Sequence, residues 1–288
     1  MPLHLPALRR RAINILSTVD WPAAALRPRL VRVGSSSEIY LRPHNHEFDI
    51  EAVLGGRLSY ETEVFALLDK VADAYDIIIE IGANVGLFTL YFSKRLMKKG
   101  PNAHIFAFEP SVEAYRRLRE NLALNSAENV TTVNAAIGPK SGFARFYEPR
   151  GNLTNGSLIE TFASYFDETP LTYWIVTLDG ASLFELIKDA KRVLIKIDVE
   201  GFEAEVLRSL AAVIEQKRPD ILIEVLPGFE DAINAAIDFS ELGYLFYGLT
   251  SEGTVSSDRI TAIEGRDCFL VAGNDPHAPA FQRSMDLA

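Results

Sequence analysis

The chain has 288 residues, and 29 Lys and Arg against 39 Asp and Glu give it a formal net charge of −10 at pH 7. That acidity argues against nonspecific nucleic-acid binding, which needs cations to neutralise phosphates. With 48% hydrophobic and 24% charged residues, the composition is that of a folded protein, not a disordered, collagen-like or coiled-coil one.

The N-terminal stretch 6–30 is basic and partly amphipathic, without the apolar core and small-residue cleavage site of a secretory signal. It reads as a helix packed on the body, the alternative being a segment resting on an anionic membrane surface. No run reaches the ~18–20 apolar residues of a spanning helix. Three Asn-x-Ser/Thr triplets, at Asn129, Asn152 and Asn155, carry little meaning without a secretion signal. His44 and His46 lie in a polar stretch and read as solvated side chains before they read as a base or metal ligands. Residues 1–60 are expected to form an N-terminal cap, and 61–288 the main domain.

From Glu61 the pattern sharpens. Val64, Phe65, Leu67, Leu68 and Val71 recur at helical spacing, which predicts a helix over 61–71. Ile77–Ile81 is a β-branched run too short for a helix, of the kind that suits a strand buried on both faces of a parallel sheet. The alternation continues with a helix over 86–98, a strand over 104–108, a helix over 111–125 and a strand over 130–137. Strand candidates at 143–147 and 173–178 flank a polar stretch with no clear assignment. Asp179 is an N-cap candidate for a helix over 181–190. A strand over 193–197, a helix over 202–216, a strand over 221–225 and a helix over 229–242 come next. Runs 244–249 and 268–271 close the sheet as a last strand pair. The second run holds Cys268, the single cysteine, which excludes an internal disulfide framework and reads as a small buried hydrophobe in a reducing, cytoplasmic setting. Strands alternating with helices build right-handed crossovers and a doubly wound α/β sheet, whose ligands bind beyond the carboxyl ends of the strands.

Polar residues at those ends are therefore the candidates for function. Glu80-Ile-Gly82-Ala-Asn84-Val-Gly86 follows the first clear strand and opens a helix. Glycines let the backbone turn and approach a ligand, and Asn84 tolerates the left-handed conformation. The spacing is GxNxG, not the GxGxxG of dinucleotide sites. Glu109 ends the next strand, where a carboxylate can accept hydrogen bonds from the vicinal hydroxyls of a ribose.

The blocks IIIEIGANVGLFTLYFSKRL, IFAFEPSVEAYRRLRENLALN, VTTVNAAIG, VTLDG, VLIKIDVEGFEAEVLRSL and ILIEV, in this order between about Tyr60 and Val225, resemble FkbM-type methyltransferases. The resemblance implies a Rossmann-like class I methyltransferase fold: α/β, doubly wound, with a mostly parallel seven-stranded sheet. It also implies S-adenosylmethionine as cofactor and methyl transfer to a hydroxyl of a sugar, glycolipid or polyketide-like acceptor. By the same resemblance Glu80, Gly82, Asn84 and Gly86 flank the amino-acid part of the cofactor, and Glu109 holds its ribose. Asn134 falls where the family contacts adenine, and Tyr60-Glu61 helps cover the site.

Lys196 and Asp198 are two apart on a strand, so both point to one face, which helices should cover. They form an ion pair or open into a cleft. Asp198 is the expected proton acceptor, with Glu200 as second choice and Lys196 beside them; each sits at or near the end of the strand by the cofactor loop. A divalent metal between Asp198 and Glu224 is an alternative not favoured here, because no third ligand stands out. The acceptor pocket is expected from 148–173 and the cap, with Asn155-Gly156-Ser157 and the aromatics Tyr165, Phe166, Tyr173 and Trp174 as candidates. The competing readings are a nicotinamide-dependent oxidoreductase, which GxNxG does not suit, and an inactive cofactor-binding module.

Overall fold

The computed structural model describes residues 27–42, 52–100, 103–262 and 266–273. The expectations for stretch 6–26 and for His44 and His46 lie outside the described residues. Among those described, no helix is long and apolar enough to cross a membrane.

The main sheet is α/β and doubly wound, as the alternation predicts. Its centre is β3 (Ile77–Ile81), which pairs in parallel with β4 (His104–Phe108) on one side and β9 (Val193–Ile197) on the other. Outward from β4 runs β5 (Val130–Val133), and outward from β9 runs β10 (Asp220–Glu224), both parallel. Successive residues of these strands feed opposite cores. Ile78 and Leu194 belong to the core beneath α1 (Thr62–Val71) and α2 (Leu87–Leu96), whereas Ile79, Ile81, Ile195 and Ile197 pack with α6 (Glu203–Lys217). Burial on both faces explains why the strands read as continuous apolar runs. In α6, Ala204, Val206, Leu207, Leu210, Val213 and Ile214 are buried at helical spacing.

The sheet has eight strands, so the expected count of seven is corrected. The extra strand is β12 (Gly253–Ser257), which folds back antiparallel on β11 (Tyr244–Thr250), itself paired with β13 (Asp267–Ala272). The order across the sheet is β12-β11-β13-β10-β9-β3-β4-β5. The one large apolar side chain of β12, Val255, is exposed, so this strand carries no hydrophobic alternation to betray it.

Three other boundaries shift. The strand expected over 130–137 breaks at Asn134. After it, β6 (Ala136–Gly138) leaves the main sheet and joins β8 (Leu171–Asp179) and β7 (Gly142–Glu148) in a separate three-stranded sheet. The helix expected over 229–242 is only α7 (Glu230–Asn234), because the Asn234 side chain turns to Ile260, donating to its carbonyl at 2.7 Å and accepting from its N–H at 3.0 Å. The helix expected over 181–190 is a 3₁₀ turn followed by α5 (Phe184–Ile187), although Asp179 does cap it by accepting from Ser182 N–H.

Ahead of the sheet, the hairpin β1 (Arg29–Val33) and β2 (Ser37–Leu41) turns Val31, Val33, Ile39 and Leu41 into the core. It is tied to α3 (Val112–Leu124) and its C-cap through Arg42 N–H to Asn121 and a two-way bond between Tyr40 and Asn125. Between β7 and β8 lies α4 (Glu160–Phe166).

Candidate active site

The carboxyl ends of β3, β4 and β9 open into one cleft of about 960 Å³, its mouth included. Of the residues singled out in the sequence, Tyr60, Glu61, Glu80, Gly82, Asn84, Glu109, Lys196, Asp198 and Glu200 all line it.

Gly82 (φ +89°) makes the first turn possible. A Cβ there would lie 1.7 Å from the Asp198 carbonyl oxygen, so the absent side chain lets β3 and β9 pass their chains tightly together. Asn84 (φ +48°) continues the turn, its side chain accepting from Val85 N–H. Gly86 (φ +88°) starts α2 and does not line the cleft; a Cβ there would meet Leu118 of α3 at 2.4 Å.

Glu109 is buried and fixed at both oxygens. Asn84 N–H donates to Oε2 and Ser111 N–H to Oε1, each at 2.7 Å. Burial pushes its carboxyl up to about 8, against the pull of those two N–H groups. A carboxylate oxygen accepts more than one hydrogen bond, so both oxygens keep capacity for hydroxyl donors. Asn134 does not line the cleft. Its amide donates to the carbonyls of Glu109 and Pro110 (2.8 and 3.1 Å), so it holds the Glu109 turn in place.

Glu80 and Lys196 face the same side as adjacent register partners on β3 and β9. Glu80 accepts from Thr89 Oγ1 at 2.6 Å, and burial raises its carboxyl to about 7, with Lys196 the main opposing influence. Lys196 is 2% exposed, donates to Asp198 at 2.6 Å and stands 4.4 Å above the Phe88 ring. Burial alone would lower its ammonium, but the negative charges of Asp198, Glu61 and Glu80 hold it above the ordinary lysine value. The ion pair and the open cleft, set as alternatives in the sequence, are both present. Glu61 (φ +47°) opens α1, and burial raises its carboxyl to about 7. Tyr60 beside it is shifted upward too, chiefly by burial.

Beyond Asp198 the chain makes a strained turn, with Glu200 at φ +56° and Gly201 at φ +94°. Two side chains pin it: Glu203, unnoticed in the sequence, and Ser157, expected there only as an acceptor-pocket candidate. Glu203, fully buried at the start of α6, accepts from Val199 and Gly201 N–H at 3.1 and 3.2 Å. Ser157 donates to the Glu200 carbonyl at 2.8 Å from across the fold. A carboxylate at the first residue of a helix is a readable signal, since the helix dipole favours it there, but the bond from Ser157, 43 residues away, has none. Burial, then Asp198 and Glu203, push Glu200 up to about 9. Glu224 does not line the cleft, yet Asp198, Glu200 and Glu224 offer oxygens all within 4.8 Å of one another, which supplies the third carboxylate missing from the sequence reading.

The far wall comes from the three-stranded sheet and the loop that follows β7, through Ile137, Phe146, Leu153, Thr154, Gly156 and Leu158. Of the acceptor candidates, Gly156 lines the cleft, whereas Tyr165 (86% exposed) and Trp174 (65%) stand on the surface.

The cleft lies at the switch point of a doubly wound sheet, the place where such folds bind their ligands. The sequence model described as the methyltransferase FkbM domain matches residues 80–246, more than half of the chain, and the chain belongs to that family. It is 27% identical over 170 residues to the hexuronic acid methyltransferase AglP of Haloferax volcanii, covering 59% of this chain and 64% of that one. It is 33% identical over 160 residues to the methyltransferase sdnD of Sordaria araneosa, covering 46% and 60%. The chain thus spans less than two thirds of either relative. Among solved structures, the methyltransferase FkbM from Methylobacillus flagellatus KT aligns with a TM-score of 0.39 at 15% identity, over 68% of this chain and 43% of that one.

Proposed function

We propose that the protein is an S-adenosylmethionine-dependent O-methyltransferase acting on a hydroxyl of a small-molecule or glycan acceptor. The observation that carries this reading is Glu109, a buried carboxylate immobilised by two backbone N–H groups beside a glycine turn at the switch point of the sheet. A ribose diol is the donor pair such an acceptor suits, and Phe108, Ala135 and Ile137 next to it offer the apolar flank a purine needs. Glu80 and Glu61, at the cleft's other end, suit the ammonium of an amino acid.

When bound, S-adenosylmethionine supplies a methyl group on a sulfonium, already activated toward displacement. The chain's own residues must then align the acceptor oxygen and take its proton. Asp198 suits the second of these roles, because it lines the cleft and the Lys196 ammonium at 2.6 Å orients one of its oxygens. Glu200, raised to about 9, holds its proton at neutral pH and suits a donor better than a base. The turn fixed by Ser157 and Glu203 keeps Asp198 and Glu200 in register with the strand.

Replacing Asp198 by Asn should leave S-adenosylmethionine affinity within about threefold while lowering kcat by ~10²–10⁴. Calorimetric titration and turnover with a labelled methyl donor separate the two effects. Unchanged kcat would remove Asp198 from the chemistry, and failure of the wild-type chain to bind the donor would remove the whole reading.

A further inference from the structure

The small sheet turns one face to the body and leaves the other in water. Directly paired residues of β7 and β8 share a face. On the inner face Phe146 and Tyr173 pack at 5.7 Å, and Ile175 is buried. On the outer face Phe143 lies opposite Val176 and Arg145 opposite Trp174. Phe143 is 75% exposed, Trp174 65% and Val176 42%, and the Arg145 guanidinium stands 5.5 Å from the centre of the Trp174 ring. Together they offer water roughly 300 Å² of apolar surface, the size of patch that on a single chain is often functional.

β7 is also an edge strand with open backbone. Tyr147 exchanges both its N–H and its C=O bond with Ser157, each at 2.9 Å, on the side away from β8. Backbone groups alternate sides along a strand, so those of Phe143 and Arg145 point the same way. No described residue meets them there. The other sheet ends are blunted: β5 and β12 are rich in threonine and serine, and β6 is buried.

The open stretch runs from Gly142, where the strand begins, to Phe146, just before the Ser157 bridge, and its centre is Ala144. A two-fold axis needs this kind of window, free to either side of one small residue. A second copy laid antiparallel on it sets Phe143 opposite Arg145 of the other chain, and the reverse, and closes the outward N–H and C=O groups of both. Each guanidinium then gains a second ring beside Trp174. An unrelated strand would have to bring both a ring and a cation at this spacing, whereas a second copy of this chain carries them.

We propose that the chain forms a two-fold symmetric homodimer by antiparallel pairing of β7 with β7 of a second copy, centred on Ala144, so that the two small sheets become one. The inference is independent of the methyltransferase reading. Phe146, on the opposite face of the same strand, lines the cleft, so one wall of each cleft is rooted in the dimer.

Sedimentation of the full chain between about 1 and 100 μM should show twice the mass of one chain, dissociating toward the low end. Phe143→Lys sets an ammonium opposite Arg145 on both sides of the axis and should raise the dimer Kd by ~30-fold or more, with circular dichroism unchanged. Ala144→Cys checks the axis itself. The one native cysteine, Cys268, is buried, so mild oxidation should link two chains through position 144, where facing Cα atoms stand about 4.5 Å apart. Val255→Cys, on the edge strand β12, should not link them. A single-chain mass across the whole range overturns the proposal. So does a dimer that Phe143→Lys leaves intact or that Ala144→Cys does not link, because another surface or register then builds it. The wild-type mass and the cross-link decide the matter even if Phe143→Lys does not fold.

Discussion

The two ends of the cleft treat their carboxylates in opposite ways. At the β4 end Glu109 meets a backbone N–H at each oxygen and is held before any ligand arrives. At the β9 end Glu200 lines the cleft and is pressed against Glu224, which does not line it and keeps a buried oxygen with no partner among the described residues. A pre-satisfied carboxylate binds by fixed geometry and loses little on binding. An unsatisfied one stores an electrostatic cost. The first arrangement suits a preformed ligand contact, the second a carboxyl that, like Glu200, keeps its proton.

The largest expected effect strikes the junction of the two ends. Gly82→Ala places a Cβ against the Asp198 carbonyl in a backbone conformation that L-residues rarely adopt, and should cost more than about 3 kcal/mol. Chemical denaturation reads this directly, and a wild-type midpoint would show that the strand ends are not tightly apposed.

Next comes Glu109→Ala, which strips the ordered end of its acceptor. Above pH 8, where a carboxyl raised to about 8 is ionised, charge-assisted hydrogen bonds of ~1.5–3 kcal/mol correspond to roughly 10–100-fold weaker cofactor binding, with acceptor affinity unaltered. If both affinities fell together, the ends would not be separable.

The smallest effect is on pH dependence. Burial raises Glu80 to about 7, Glu109 to about 8 and Glu200 to about 9, all above the 4.5 of an exposed glutamate. Their folded forms hold protons more tightly than the unfolded chain does, so this stability is complete below pH 4.5 and is lost as pH rises through the raised values. Glu113, drawn down to about 2 by Arg116 and Arg117, acts in the opposite sense but only below 4.5, and His104, lowered by burial, acts below 6.5. Between pH 7 and 9 the ligand-free Tm should therefore fall, and Glu109→Gln should flatten the slope. A Tm that climbs across this window contradicts the assignment.

Much of this was legible in advance where one physical rule governs one stretch of chain. Ile77–Ile81 and Val193–Ile197 announce themselves because burial on both faces demands unbroken apolar runs. The rule that ligands sit beyond strand ends then brings Glu80, Glu109 and Asp198 to one cleft without any coordinates. The bond of Ser157 to the Glu200 carbonyl and the pairing of Glu224 with Asp267 were not legible, since only long-range folding makes them. Strand β12 and the shortened helix at Glu230–Asn234 escape for a related reason. Their form is set by a turn-back onto β11 in one case and by the Asn234–Ile260 link in the other, neither of which leaves a periodicity.

Asn134 marks the point where the chain leaves the main sheet, and it returns to that sheet at Val193. Everything between is an excursion, anchored at its root by the Asn134 amide on the carbonyls of Glu109 and Pro110. Changes to its loop between β7 and β8 alter one wall of the cleft and leave untouched the parallel pairing of β3, β4 and β9. The architecture thus separates a fixed chassis from a replaceable wall, and a chimera carrying another family member's loop in place of residues 149–159 tests whether that wall sets which acceptor the proposed donor site serves.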